Sequence, residues 1–464
     1  MNLRLGYMTD VRTLYKFITA LILVFMTSCI TNPKNGESNA EQSTPKELYI
    51  PREVYRVPEN NDYADPNSDF SFERMVEGDN IAIFWHKEYG NDPMANPDST
   101  LRFNPTRMLK ESERTYDVYV NDLALVQKDS SYTDTYKVLV YVIKAEEQTA
   151  FGGGAEDKIG IFWTPAIRVN KEPYGVLAHE LGHSFQYLSR ADTGNGPRGT
   201  IGEMSAQYML WQVYPDWMTF ENYHLVDYLK GTHYGFLHPV NMYHSPYVIE
   251  YWSEKHGKKF FGKLMRSTRE GEDPVMTYKR LNHLSQEEFN DEIFDASRKF
   301  ITWDLSRVDS VAKPYANMHY TKVNKLPNGW YQIDTINTPQ NYGYNGIKLE
   351  VPESGTKVEL DFKGIAGDDT YEKVQEDKAG WRYGFVASLK NGNRVYSDIF
   401  KESNGKASFK VPSNTEYLWL VVSGAPTEHW PRPMRRRNND DADKTPDEEW
   451  PYQFKLTGTD IAEQ

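Results

Sequence analysis

Between Tyr174 and Tyr187 the chain reads YGVLAHELGHSFQY, and His179, Glu180 and His183 spell H-E-x-x-H. On an α-helix, side chains four positions apart project from one face, one turn above the other, so these two imidazoles can grip a single zinc ion. Glu180 falls beside them, where its carboxylate can take a proton from water on that metal. Glu203 follows in a second helical run, GEMSAQYMLWQVY, and the intervening stretch from Gly194 to Gly202, rich in Gly, Pro and Thr, can turn the chain back across the first helix. A His, His, Glu set leaves a fourth position for water, which is the catalytic rather than the structural arrangement for Zn2+.

Such residues work only if a helix holds them, and the flanks predict one. Val176, Leu177, Leu181, Phe185 and Leu188 give an apolar stripe for the core, and Pro173 suits a first helical position. With a glutamate about twenty residues downstream on the next helix, the pattern resembles the gluzincin metallopeptidases, the thermolysin-like group. The wording H-E-L-G-H-S-F-Q is similar to the H-E-x-G-H-x-x-Q of enhancin-like, mucin-targeting members. The resemblance implies an α+β, zincin-like catalytic domain, zinc on His179, His183 and Glu203, and Glu180 as general base. Beyond these motifs, FSFERMVEGDNIAIFWHKEYG, GWRYGFVASL and LWLVVSGAPTEHW look like a family of secreted bacterial lipoproteins of unassigned function, over most of the mature chain.

One position departs from the thermolysin-like pattern. Where that group usually carries an Asp four residues after the third ligand, to orient a histidine, this chain has Gln207. An amide can still accept a bond from an imidazole N–H, though it polarises the ring less than a carboxylate. A donor for the transition-state oxyanion is implied past the third ligand, and His233, Tyr234, Tyr243, His244 and Tyr247 are candidates among which the sequence does not choose. Without a G-x-S-x-G elbow, and with its only cysteine at position 29, the chain gives no support to Ser- or Cys-based hydrolysis.

At 464 residues the chain has room for two or three domains. The mean hydropathy of -0.71 excludes a polytopic membrane protein, and the net charge of -13 argues against nucleic acid as a partner. Arg435 to Arg437 are a local exception, but Asp440, Asp441 and Asp443 follow at once. Basic residues (Arg4, Arg12, Lys16) and an apolar run from Phe17 to Phe25 predict a signal peptide. The alternatives at its end are an ordinary secreted protein that loses Cys29 with its signal and a lipoprotein. The tetrapeptide MTSC resembles a bacterial lipobox, which implies a lipoprotein signal over 1–29. The mature protein is then exported and tied to an envelope membrane, the outer membrane or cell surface, through a lipid on Cys29. It has no disulfide.

Residues 30–48 are polar and read as a flexible tether. The catalytic domain is expected over 49–318, with strands at Asp79 to Trp85, Tyr136 to Ile143 and Ile159 to Val169, and a helix-like stretch from Pro105 to Gln127. Phe151 to Ala155, FGGGA, reads as a hairpin loop. By the gluzincin resemblance, Ile159 to Pro165 would be the cleft edge that a peptide pairs with. Residues 221–304 are mainly helical in pattern. Residues 319–464 alternate in short segments broken by turns, including Asn391-Gly392, and predict a β-sandwich or jelly roll. Its Trp381, Tyr383, Trp419 and Trp430 either fill a core or stack on sugar rings, and core filling is the commoner role.

The function expected is a lipid-anchored zinc metallohydrolase, a peptidase acting on a peptide, protein or glycopeptide. The alternative is a surface glycan- or protein-binding lipoprotein whose zinc site is structural or catalytically silent.

Overall fold

The structure is a computed structural model, and it describes residues 45–197, 199–432 and 446–463. The expected signal, Cys29, nearly all of the tether and Arg435 to Arg437 lie outside the described residues. Lys46–Gln464 form one compact unit, and Met1–Pro45 are a second of which only Pro45 is described. Among the described residues, no helix is long and apolar enough to cross a membrane.

The described residues mix helices with three sheets, consistent with an α+β class. The first sheet holds β1 (Met75–Glu77), β2 (Ile81–Trp85), β3 (Val138–Ile143), β4 (Phe151–Ala155) and β5 (Ile159–Pro165), in the order β1-β2-β3-β5-β4. The inner strands β2, β3 and β5 run parallel, while β1 and β4 close the two edges antiparallel. Continuous apolar runs such as IAIFW and VLVYVI suit strands covered on both faces. Ile81, Ile83, Trp85, Val138, Val140 and Val142 join the core shared with the helices. Ala82, Phe84, Leu139 and Tyr141 face a second core closed by Val54 and Phe70.

Two expectations about this sheet need correction. FGGGA is not a loop but the edge strand β4, and Ile159 to Pro165 is not an edge, because β5 is bonded to β3 on one side and β4 on the other. The glycines explain why the sequence hides this strand. A Cβ at Gly152 would lie 2.0 Å from the Glu180 carbonyl oxygen, and one at Gly154 would lie 2.3 Å from the Tyr187 ring, so β4 reaches the metal-motif helix only without side chains on that face. Gly152→Ala is therefore expected to destabilise by at least about 1–3 kcal/mol, the cost of overpacking. Thermal unfolding measures it, and an unchanged midpoint would contradict the close packing.

Helix α1 (Pro105–Asp117) and helix α2 (Gly175–Thr193) cover one face of this sheet. Helix α2 carries the H-E-x-x-H motif and buries Leu177, Leu181, Phe185 and Leu188. It begins at Gly175, so Pro173 stands just outside it, and it ends where Gly194 takes the left-handed conformation, φ 77°. The following turn starts α3 (Ile201–Val213), buried along almost its whole length, with Glu203 in the first turn. Gly182 faces Ala206 across the pair, letting the two helix backbones approach. Further helices of this half include α4 (Asn222–Lys230), α5 (Tyr247–His256), α6 (Lys259–Arg266), α7 (Pro274–Asn282) and α8 (Gln286–Phe300), whose Ser285/Glu288 capping box fixes its start.

The remainder folds as two antiparallel sheets packed face to face. One contains β8 (Tyr344–Leu349), β10 (Trp381–Leu389), β11 (Arg394–Tyr396) and β13 (Thr415–Gly424), in the order β11-β10-β13-β8. The other contains β6 (Val323–Lys325), β7 (Tyr331–Ile333), β9 (Lys357–Gly364), β12 (Asn404–Lys410) and β14 (Tyr452–Thr457), in the order β12-β9-β14-β7-β6. Ile347, Phe385 and Leu420 meet Phe362 and Phe454 between them. Strands β9 and β12 alternate buried and exposed positions, as a sheet with one wet face should. The four-stranded sheet has no wet face along β10 and most of β13, since Tyr344, Val386, Trp419 and Val421 join the helical core. Trp381, Tyr383 and Trp419 are buried, which removes them as sugar platforms, and Trp430 is half-buried beside Trp450.

At this junction His319 is buried, with Nε2 2.8 Å from the Tyr344 hydroxyl. Burial pushes its pKa down to about 3. The folded state thus leaves the ring neutral while the unfolded chain protonates it below its ordinary value of about 6.5. Stability contributed by this group is full above that value and lost as pH falls toward 3, by up to about 1.4 kcal/mol per pH unit. His319→Gln should flatten the acid limb of urea-unfolding stability between pH 6.5 and 4 by about that slope, and an unaltered slope would refute it.

Candidate metal centre

Helices α2 and α3 bring three atoms to one point. His179 Nε2 and His183 Nε2 are 3.2 Å apart, and each is 3.2 Å from Glu203 Oε2. Such a triangle is one face of a tetrahedron whose centre lies about 2.0 Å from each corner, the length of zinc bonds to histidine nitrogen and carboxylate oxygen. The donor set therefore fits Zn2+ in size as well as kind.

Proton positions around the triangle support the same fit. Gln207 Nε2 donates to the Tyr243 carbonyl at 3.3 Å, which turns Gln207 Oε1 toward His179 Nδ1 at 3.1 Å. Gln186 Nε2 donates to the Gly202 carbonyl at 2.8 Å and lies 3.0 Å from Ser205 Oγ, which turns Gln186 Oε1 toward His183 Nδ1 at 3.1 Å. An amide oxygen only accepts, so both neutral rings carry their proton on Nδ1 and aim a bare lone pair from Nε2 into the triangle. Two lone pairs and a carboxylate oxygen at that spacing repel one another unless a cation lies between them. Burial would raise the Glu203 pKa. With a proton rather than a cation inside the triangle, an Nε2–H of His179 or His183 would bond to Glu203, and that interaction outweighs burial and holds the carboxylate ionised. Burial would likewise lower His183, but Glu203 outweighs it and raises the ring above its ordinary value.

Glu180 comes within 4.8 Å of the ligand nitrogens of both histidines. Burial raises its pKa above the ordinary carboxylate value, His179 and His183 work against that rise, and Glu203 adds to it. A carboxylate raised in this way is better matched to proton transfer near neutrality. On one side of the motif lies a pocket of about 170 Å³ lined by His179, Glu180, Glu221, Tyr223, His224 and Tyr243. On the other lies a larger one of about 390 Å³ between β4, the C-terminal half of α2 and the turn after α6, reaching His183 and Gln186.

Of the five candidate oxyanion donors, Tyr243 alone lines the pocket beside Glu180, its ring stacked on His179 at 6.2 Å. His244 stands one step back, with Nδ1 2.8 Å from His224 Nδ1, and His224 Nε2 accepts from Gln207 Nε2 at 2.9 Å. Tyr247 is buried among Trp211, Tyr228 and Trp303, away from this pocket. The rings of His233 and Tyr234 meet at a tilt, and Tyr234 stacks on His238, outside both pockets. Sequence reasoning missed Glu221, Tyr223 and His224 as neighbours of the site, and it quoted Gln186 as the last residue of H-E-L-G-H-S-F-Q without giving it a role. The signal for Gln186 was that motif together with its spacing, since three residues past His183 on a helix is the same face.

Residues 40–463 match the model of a family of unknown function (DUF6055). The chain belongs to this family. No curated protein matches it. Among solved structures, the chain is similar to the M60 catalytic domain with two CBM51 domains of Clostridium perfringens ZmpB, at 12% identity and a TM-score of 0.28, covering 86% of this chain and 60% of that one. A functionally unknown conserved protein mutant from Bacillus anthracis is similar at 11% identity and a TM-score of 0.30, over 55% of this chain and 49% of that one. The Yersinia pseudotuberculosis-derived mitogen is similar at 7% identity and a TM-score of 0.18, over 31% of this chain and 90% of that one.

Proposed function

We propose that the protein is a zinc-dependent hydrolase of peptide bonds, with His179, His183 and Glu203 holding the metal and Glu180 as general base. The observation that carries this reading is the 3.2 Å triangle whose three corners all present lone pairs. When bound, zinc supplies Lewis acidity toward a carbonyl oxygen and toward water. Glu180 takes the proton of the attacking water and passes it to the leaving nitrogen. Gln207 and Gln186 keep each imidazole turned with Nε2 inward. Strand β4 stands last in its sheet, where an extended peptide can add, and Gly152, whose backbone N–H donates to the Glu180 carboxylate, brings that edge against Glu180 and His183. Export and anchoring through a lipid on Cys29 are part of the proposal and rest on the leader sequence.

The alternative, a glycan- or protein-binding surface lipoprotein with a structural or silent site, calls for a fourth protein ligand closing the metal. A pocket beside His179 and Glu180 favours hydrolysis instead. The test is to incubate the purified, zinc-loaded protein with denatured protein, mucin glycoprotein and peptidoglycan, each with and without a chelator. Fragments are expected in at least one arm, and only without chelator. Their absence from every zinc-loaded arm would overturn the reading.

A further inference from the structure

Along the metal helix, β4 runs in step with the turns beneath it. Gly152 lies over Glu180 and His183, and two residues on, Gly154 lies over Tyr187. Extended chain advances about 3.3 Å per residue and helix about 1.5 Å, so a peptide added to the outer edge of β4 passes one helical turn for roughly every two of its own residues. Arg190 is seven positions past His183, which places it on the same face of α2 about 10 Å further along. That distance is about three residues of extended peptide.

The larger pocket reaches that point. Its walls include Gly152, Gly153 and His183 of the metal motif together with Arg190 and Arg269. Both arginines are exposed. Among the described residues neither guanidinium has a carboxylate within 4.0 Å; Arg190 lies over the Tyr187 ring at 5.3 Å, and the bonds of Arg269 run through its backbone. Glu270 lines the same pocket and offsets one of the two charges. In a chain of net charge -13, a pocket that opens on the metal motif and retains a surplus positive charge marks a preference for an anion.

We infer that Arg190 and Arg269 form a specificity pocket for an acidic side chain, an Asp or Glu lying two to four residues from the scissile bond of a peptide paired to β4. This inference rests on the hydrolase reading above. Two guanidiniums can reach one carboxylate from two sides, and charge-assisted bonds of that kind strengthen as the peptide backbone excludes water from the pocket.

The experiment separates binding from turnover. The zinc-loaded Glu180→Gln protein is titrated with fluorescein-labelled peptides of one sequence, each with a single Glu moved along it, against the all-Gln parent. Binding is expected to tighten about tenfold for Glu at one or two adjacent positions, to weaken with added salt, and to lose that gain in a background of Arg190→Gln and Arg269→Gln. The double charge reversal Arg190→Glu and Arg269→Glu should shift the preference to Lys at the same position. A parallel peptide carrying a sialylated sugar at the preferred position tests whether a glycan supplies the carboxylate, and tighter binding of that peptide alone would overturn the side-chain assignment. Equal binding of Glu and Gln peptides would overturn the pocket while leaving the hydrolase reading intact. Cleavage failing in all zinc-loaded arms, with the Glu preference in binding retained, would overturn the hydrolase reading and leave the pocket standing.

Discussion

Glu180→Gln is expected to retain zinc at full occupancy while slowing hydrolysis by about a thousandfold or more, within the usual range for loss of a general base. The substitution keeps the side chain's size and a hydrogen-bonding oxygen, so it changes little except the ability to take a proton. The structure makes this variant informative because Glu180 is separate from the three atoms that converge at 3.2 Å. Metal analysis and a rate measurement on one sample decide the matter. Undiminished turnover would remove Glu180 as base, and lost zinc would move it into the ligand set.

Removing a corner of the triangle should give the opposite pattern. Structural zinc sites bind with roughly 10–16 kcal/mol, so one ligand in four accounts for about 3 kcal/mol, or about two orders of magnitude in affinity. His183→Ala or Glu203→Ala should therefore fail to hold zinc through dialysis against a weak chelator that the parent survives. Gln207→Leu tests the next layer: loss of the bond to His179 Nδ1 should weaken zinc by about 10- to 100-fold without deleting a ligand. Full metal content in Glu203→Ala would dismantle the site as drawn.

The sequence and the structure agree best where chemistry demands both residue type and spacing. His179, His183 and Glu203 were legible because one helical turn and one reversal of chain suffice to bring them together. Gln207 was legible as an acceptor for an imidazole proton, and it faces His179 Nδ1. The two parallel strands β2 and β3 announced themselves as unbroken apolar runs, and the sandwich as short alternating segments. The edge strand did not. Three consecutive glycines carry no side-chain pattern, and what makes them a strand is the helix pressed against them, a tertiary fact. His224 was equally hidden, since it reaches the site through Gln207 from a separate helix. The choice among the oxyanion candidates was hidden for the same reason: a list of Tyr and His residues contains nothing about which of them a fold turns inward, and only Tyr243 of the five lines the pocket beside Glu180.

The sheet that is wet on neither side has a consequence for how lesions in this protein will read. Trp419 and Val421 present their side chains to the same core that holds α2 and α3, so the sandwich serves as a floor for the half that carries His179, His183 and Glu203 rather than an appendage. Arg382 and Arg394 bolt the two together through Asp291 and Asp309. A fragment trimmed after residue 318 would bare the helical core that rests on that floor and clump, and a damaging change deep in β13 is expected to surface as weakened zinc binding. Melting should proceed in one step, with metal release and loss of strand signal superimposed.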